Sequence, residues 1–135
     1  MLDLRPAGVA RYGSSTPACS GAIAAAVTRW PAAGAADFAF TCVQAPAGSL
    51  GFLVLGFAPA PGLPILGITA WLDPQQPLLT AATFADDLGT ARVPLSLAGI
   101  GAGTHFYVQF VWFDPPGCGP ATGLSASDAL GVTVQ

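Results

Sequence analysis

One histidine and several acidic and hydroxyl side chains are the residues from which a hydrolytic site would have to be built. His105 is the only histidine, so a Ser-His-Asp arrangement would need it as the base, with Asp114 or Asp128 and Ser125 or Ser127 as its partners. The sequence contains no G-x-S-x-G segment, the turn that presents the serine nucleophile in many hydrolases. We therefore predict no catalytic residue and a protein that is not an enzyme.

The neighbours of His105 favour a structural position for this residue. His105 alternates with apolar residues and is in step with Tyr107 and Gln109. Because alternate side chains of a strand point to opposite faces, these three residues are predicted to lie on one solvated face.

Three cysteines offer disulfide or metal chemistry. Cys42 is in step with Phe38 and Phe40, which predicts a buried and unreactive thiol. Cys19 and Cys118 lie in turn-rich segments, so we expect a Cys19–Cys118 disulfide, with Cys19–Cys42 as the alternative. A metal site is disfavoured because there is no C-x-x-C spacing and only one histidine. We predict neither a metal nor a cofactor.

A sugar-stacking platform could be formed by aromatic residues, namely Trp30, Trp71, Trp112, Tyr12 and Tyr107. Trp112 follows the apolar register of its segment and is predicted to be core. Trp30 and Trp71 lie close to the ends of predicted strands, so they are the candidates for stacking on a glycan.

The composition excludes several classes of protein. Of the 135 residues, 53% are hydrophobic and only 8% are charged, and Lys, Glu and Asn are missing. A disordered chain is charge-rich, a nucleic-acid-binding protein needs clustered basic residues, and a helical bundle needs charged outer faces. No apolar run reaches the ~20 residues of a membrane-spanning helix, so no membrane span is predicted.

Short apolar runs punctuated by Gly and Pro indicate the fold. They predict an all-β protein, a two-sheet antiparallel β-sandwich of about eight strands. The run Leu50–Phe57 is apolar on both faces and is expected to be covered on both sides. Pro94 places the run Thr90–Leu97 at the edge of a sheet. The runs Leu78–Ala85 and Thr90–Leu97 flank an Asp86–Gly89 turn and are expected to form a hairpin. The predicted strands are Ala22–Thr28, Asp37–Gln44, Leu50–Phe57, Ile65–Leu72, Leu78–Ala85, Thr90–Leu97, Thr104–Phe113 and Ala129–Val134.

The order of several short motifs resembles one group of bacterial modules. The motifs are Tyr12-Gly13, Cys19-Ser20-Gly21, Phe106-Tyr107-Val108-Gln109 and the closing segment Leu124-Ser125-Ala126-Ser127-Asp128-Ala129-Leu130. Over residues 11–135 the chain is similar to C-terminal β-rich modules of exported or cell-surface proteins of planctomycete- and myxobacterial-type bacteria. The resemblance implies an extracellular or cell-surface β-sandwich and carries no enzymatic activity. Met1–Pro6 shows no export signal, which is the one departure from an exported protein.

The shortage of charge suggests how such a domain is used. Eleven charged residues cannot cover the surface of a 135-residue domain, so apolar area is left for association. We predict a non-enzymatic extracellular structural protein, a subunit of a filament or other surface assembly, whose partners are copies of itself. Residues 1–17 are interpreted as an arm or linker and 18–135 as the sandwich, with Tyr107, Val111 and Phe113 as association residues. The alternative is a monomeric module of a larger exported protein that binds a glycan or mediates adhesion.

Overall fold

A computed structural model describes residues 8–18, 21–114 and 123–135. Over these residues the chain is all-β, with strands and no helix, as predicted. The strands are β1 (Val9–Tyr12), β2 (Ala24–Val27), β3 (Ala39–Val43), β4 (Leu50–Gly56), β5 (Pro59–Ile65), β6 (Ile68–Leu72), β7 (Leu78–Phe84), β8 (Ala91–Pro94), β9 (His105–Phe113) and β10 (Leu124–Thr133).

The strands form antiparallel sheets in a sandwich-like arrangement. The larger sheet has the order β1-β10-β9-β4-β7, and the smaller has the order β2-β3-β8. A separate hairpin, β5–β6, lies against β9 and β10. Two strands go beyond the predicted eight, β1 and β5. The β5 segment contains three prolines and pairs only with β6, which is the sheet-edge position that proline tolerates.

The core lies between the two sheets and is built from the alternating apolar residues. Phe38, which directly precedes β3, and Phe40 of β3 are fully buried, as are Phe110 and Trp112 of β9. The Phe110 and Trp112 rings are stacked with 6.1 Å between centroids. The predictions that Trp112 and Cys42 are core residues are confirmed.

Two predictions about the strand pairing need correction. The fifth and sixth predicted strands do not form a hairpin, because β7 pairs with β4 and β8 pairs with β3. The Asp86 turn instead carries the chain from one sheet to the other, and its carboxylate accepts the backbone N–H groups of Leu88 and Thr90. The edge position of Pro94 is confirmed, since β8 ends the smaller sheet.

The β4 strand is covered on its core face and only partly covered on the other, which corrects the expectation of a strand buried on both. Leu53 faces the core and is buried, whereas Phe52 is only half-buried on the other face and Leu50 is exposed. The apolar residues on one face of β4 thus belong to the core, and those on the other face form part of an open surface.

The segment interpreted as an arm contributes to the larger sheet. Strand β1 pairs with β10 along Val9–Tyr12, and Thr16 forms an isolated bridge with Ala126. Residues 8–18 are therefore joined to the same chain by backbone hydrogen bonds, and residues 1–7 lie outside the described part.

No helix in the described residues has the length and apolar character needed to cross a bilayer.

The packing of β4 against β9 gives a first prediction. A Cβ added at Gly51 would come within 2.7 Å of both the Trp112 ring and the Val111 carbonyl oxygen. Gly51→Ala is therefore expected to lower the free energy of unfolding by about 1–3 kcal/mol, as overpacking does in other cores. Gly101→Ala is the control, because no atom lies within 4 Å of its added Cβ. Urea unfolding followed by fluorescence measures both, and equal stability of the two variants would contradict this account of the packing.

Candidate functional site

A buried carboxylate joins strands of both sheets. Asp128 is 8% exposed, and its Oδ1 accepts the Ala25 N–H at 2.9 Å. Its Oδ2 lies 3.3 Å from the Arg11 Nε, and the Arg11 Nη2 donates to the Ala25 carbonyl at 2.8 Å. Burial raises the pKa of Asp128, while the Ala25 N–H and the Arg11 guanidinium act in the opposite direction. This cluster fixes β1 and β10 of one sheet to β2 of the other.

A buried glutamine holds the β5–β6 hairpin on the outside of the larger sheet. The Gln109 Oε1 accepts the Trp71 N–H at 3.0 Å, and its Nε2 donates to the carbonyls of Thr69 at 2.9 Å and Ser127 at 3.0 Å. Gln109 is only 3% exposed, so its predicted solvated position is wrong. The reason is that β6 crosses the outer face of β9 at this residue.

The β5–β6 hairpin divides the outer side chains of β9 into two groups. Gln109 lies under β6, His105 and Tyr107 lie on one side of it, and Val111 and Phe113 lie on the other. The two groups form different kinds of surface, and each is a candidate site.

The first surface is an aromatic groove, defined by Tyr12, His105, Tyr107 and the small residues beside them. The Tyr12 and Tyr107 rings meet edge-on with 5.9 Å between centroids, and His105 meets Tyr107 edge-on at 4.8 Å. The Tyr12 hydroxyl donates to the Trp71 carbonyl at 2.7 Å, and burial raises the Tyr12 pKa well above its usual value. The groove is open to solvent and has a volume of about 410 Å³.

A hydrogen-bonded chain of uncharged partners holds His105 in this groove. The His105 Nδ1 lies 2.6 Å from the Thr133 hydroxyl, and its Nε2 lies 2.6 Å from the Tyr107 hydroxyl. The sequence pattern placed His105 on an exposed face correctly, but the contact with Thr133 depends on the pairing of β9 with β10.

The structure does not bring the residues of a Ser-His-Asp arrangement together. Ser125 donates to Asp114 at 3.0 Å, and the Ser127 hydroxyl donates to the backbone carbonyl of Asp128 at 2.6 Å. Asp128 is paired with Arg11, as described above. In the part of the protein that the structure describes, His105 is hydrogen-bonded instead to the hydroxyl groups of Thr133 and Tyr107.

The second surface is the outer apolar face, defined by Leu50, Phe52, Phe84, Val111 and Phe113. The antiparallel register aligns Val111 with Phe52 and Leu50 with Phe84, which gives a continuous face across β9, β4 and β7. Phe84 is 68% exposed and Phe113 is 46% exposed. The structure thus brings two predicted association residues, Val111 and Phe113, to one surface and places the third, Tyr107, in the groove.

Strand β7 ends the larger sheet beside the outer apolar face. Its sequence, Leu78–Phe84, contains no charged residue, no glycine and no proline, and most of its side chains are exposed. Leu79 is 61% exposed and lines a small apolar groove of about 120 Å³ together with Leu53, Val93 and Leu95. Among the described strands it has one neighbour in its sheet, β4, so no other described strand pairs with its second edge within this sheet.

The two predicted sugar-stacking residues belong to different parts of the fold. Trp30 follows β2 of the smaller sheet and is 48% exposed. Trp71 lies in the β5–β6 hairpin, is half-buried, and donates its Nε1–H to the Ser14 carbonyl at 2.9 Å.

The predicted disulfide, Cys19–Cys118, lies outside the described residues. Cys42 is a free and fully buried thiol, so the alternative Cys19–Cys42 pair is not formed. Burial raises the pKa of Cys42 to about 12, which leaves it protonated and unreactive at neutral pH.

In residues 8–18, 21–114 and 123–135, no group of three His, Cys, Asp or Glu side chains is arranged to hold a metal ion. Comparison with known proteins finds no family model, no curated protein and no solved structure that matches the chain.

The buried Asp128 carboxylate gives a second prediction. Folding raises the pKa of Asp128, so protonation of this carboxyl stabilises the folded protein. This stabilisation is fully present below the usual Asp pKa of about 3.9 and is lost as the pH rises through the pKa of the folded state. Lowering the pH from 7 towards 4 should therefore raise the contribution of Asp128 to the free energy of unfolding. In Asp128→Asn this contribution should be absent, because the amide keeps an acceptor for the Ala25 N–H but does not titrate.

Urea unfolding of both proteins across this pH range measures the difference. Asp73→Asn makes the same change of side chain in an exposed turn and is the matched control. Identical pH profiles for the wild type and Asp128→Asn would contradict the prediction.

Proposed function

We propose that this chain is a non-enzymatic structural subunit that associates with copies of itself through strand β7 and the outer apolar face. The observation that carries the proposal is a continuous apolar surface that ends at an uncharged strand, β7, whose outer edge pairs with no other strand of the described sheet. An extracellular or cell-surface location belongs to the same proposal and is supported by the resemblance to exported bacterial modules.

The exposed edge is unusual because it lacks the features that prevent pairing. Natural edge strands are protected by lysines, prolines, bulges or inward-pointing charges, since a free strand edge is a template for another strand. Strand β7 contains no lysine, no other charged side chain and no proline. It also has no bulge, because Leu50–Gly56 of β4 pair with it without a register shift. An edge of this kind favours addition of a strand from a second molecule.

The β7 sequence suits pairing with itself. In an antiparallel pair centred on Ala81, the exposed Leu78 of one copy lies opposite the exposed Phe84 of the other, and Thr80 lies opposite Ala82. No charges face each other in this register, so cross-strand contacts are apolar or neutral. Pairing about this two-fold axis would join two five-stranded sheets and align their outer apolar faces.

The alternative function, a monomeric glycan-binding module that uses Trp30 and Trp71, has less support. These two tryptophans belong to different layers of the fold, and one of them is hydrogen-bonded and half-buried. A single sugar-stacking surface made from this pair is therefore not supported.

A charge placed on β7 tests the proposed function. Ala82 is exposed, and its side chain lies on the outer face next to Phe52. Ala82→Lys is expected to keep the molecule monomeric, because pairing would bury an ammonium group near an apolar surface. Ala98→Lys makes the same chemical change in an exposed turn away from β7 and should assemble as the wild type does.

Light scattering coupled to size-exclusion chromatography, with electron microscopy of the same samples, measures the assembly. Circular dichroism and thermal unfolding verify that both variants fold. A wild-type protein that stays monomeric over the accessible concentration range would contradict self-association. Assembly of Ala82→Lys to the same extent as the wild type would show that β7 is not the interface.

A further inference from the structure

We infer that the aromatic groove on the outer face of β1, β10 and β9 binds a neutral sugar residue. This is a binding site distinct from the association surface at β7, since β1 and β7 are opposite edges of the same sheet. The inference does not depend on the proposed function.

The floor of the groove is made by residues with little or no side chain. The register places Ala10, Gly131 and Tyr107 side by side on three neighbouring strands. A Cβ at Gly131 would come within 3.3 Å of the Tyr107 ring, so the glycine allows this ring to lie close to the sheet. Small residues next to a tyrosine leave a concave space beside its ring, and the volume of about 410 Å³ is in the range of small-molecule sites.

The walls of the groove combine aromatic rings with hydroxyl and imidazole groups. The Tyr12–Tyr107 and Tyr107–His105 contacts are both edge-on, with interplanar angles of 87° and 89°. Rings at right angles expose a face and an edge in different directions. The face of an aromatic ring carries partial negative charge and attracts the weakly positive C–H groups of a sugar ring.

The polar groups in the groove suit a ligand with hydroxyl groups. The Thr133 and Tyr107 hydroxyls are each hydrogen-bonded to His105, and each oxygen has further capacity to donate or accept. A sugar hydroxyl is able to act as donor and acceptor with the same partner, so it matches this chain whichever nitrogen of His105 carries the proton.

The side-chain types of the described lining residues favour a neutral ligand. The described lining residues are Gly8, Val9, Ala10, Tyr12, His105, Tyr107, Gly131 and Thr133, none of which is Arg, Lys, Asp or Glu. Arg11 alternates with Ala10 and Tyr12, so it lies on the opposite face of β1, where it pairs with Asp128. Among these described residues there is no Arg or Lys to pair with a phosphate or carboxylate, and no carboxylate to pair with a cation. A neutral polyhydroxylated ring meets the aromatic and hydroxyl groups without needing either.

Titration of isotopically labelled protein with neutral disaccharides tests the inference. The probes are maltose, cellobiose and lactose, and glucuronic acid is the anionic comparison. Binding is followed through the NMR signals of Tyr12, His105 and Tyr107. We expect saturable shifts of these signals with at least one disaccharide and weaker binding of glucuronic acid. No saturable shift up to the solubility limit of all three disaccharides would overturn the inference, and so would equally tight binding of the acid.

Three variants locate the site. Tyr107→Ala should weaken binding at least about tenfold, because it removes both the stacking surface and a hydroxyl. Tyr107→Phe keeps the ring and should weaken binding about three- to tenfold, the effect of one neutral hydrogen bond. Trp30→Ala removes an exposed aromatic ring from the connection between β2 and β3 and should leave the affinity unchanged.

The variants also separate this inference from other outcomes. A loss of binding in Trp30→Ala with normal binding in Tyr107→Ala would overturn the proposed groove and place the sugar at the connection between β2 and β3. Tyr107→Phe guards against a folding defect in Tyr107→Ala, because it preserves the ring packed over Gly131. The Ala82→Lys variant, titrated in parallel, should bind the sugar whether or not it assembles.

Discussion

The break in the β10 ladder at Ser127 and Asp128 is the constraint on which the rest of the structure depends. Regular pairing with β9 stops at Ala126 and resumes at Ala129, so the intervening residues must satisfy their polar groups in other ways. The Ser127 hydroxyl accepts the Phe110 N–H, its carbonyl accepts from Gln109, and the Asp128 carboxylate accepts the Ala25 N–H. The irregular strand thus connects the smaller sheet on one side with the β5–β6 hairpin on the other.

The alternation of apolar residues allowed most strands and the core to be predicted, because period-two burial is local in sequence. Phe38, Phe40 and Trp112 are core residues for that reason. The β5 segment was missed because its prolines and glycine are typical of turns, and β1 because it is short and lies among turn residues. Which strands pair depends on contacts between distant residues, and the β7–β8 connection shows that a good turn sequence does not determine whether its flanking strands share a sheet.

The candidate surfaces were less predictable than the fold. The sequence identified the outer residues of β9 as one set, but the position of the β5–β6 hairpin decides what each of them does. Gln109 is buried because the hairpin crosses it, whereas Tyr107 and Phe113 lie on either side of that crossing. The sequence grouped Tyr12 and Tyr107 as possible sugar-stacking residues, but their direct contact depends on the pairing of β1 with β10.

The positions of the charged residues explain why the described parts of these two surfaces carry few charges. Arg11 and Asp128 are paired between the sheets, Arg29 pairs with Asp37 at 2.7 Å, and Asp86 closes a turn. In these cases the charges are at the junctions of the fold, where they satisfy backbone or side-chain groups, and they are not distributed over the outer face of the larger sheet. The β5–β6 hairpin then separates that face into an apolar part next to β7 and an aromatic, hydroxyl-bearing part next to β1. Two copies joined at β7 would keep their β1 edges at the two ends of the joined sheet, so association and ligand binding at the groove are geometrically compatible.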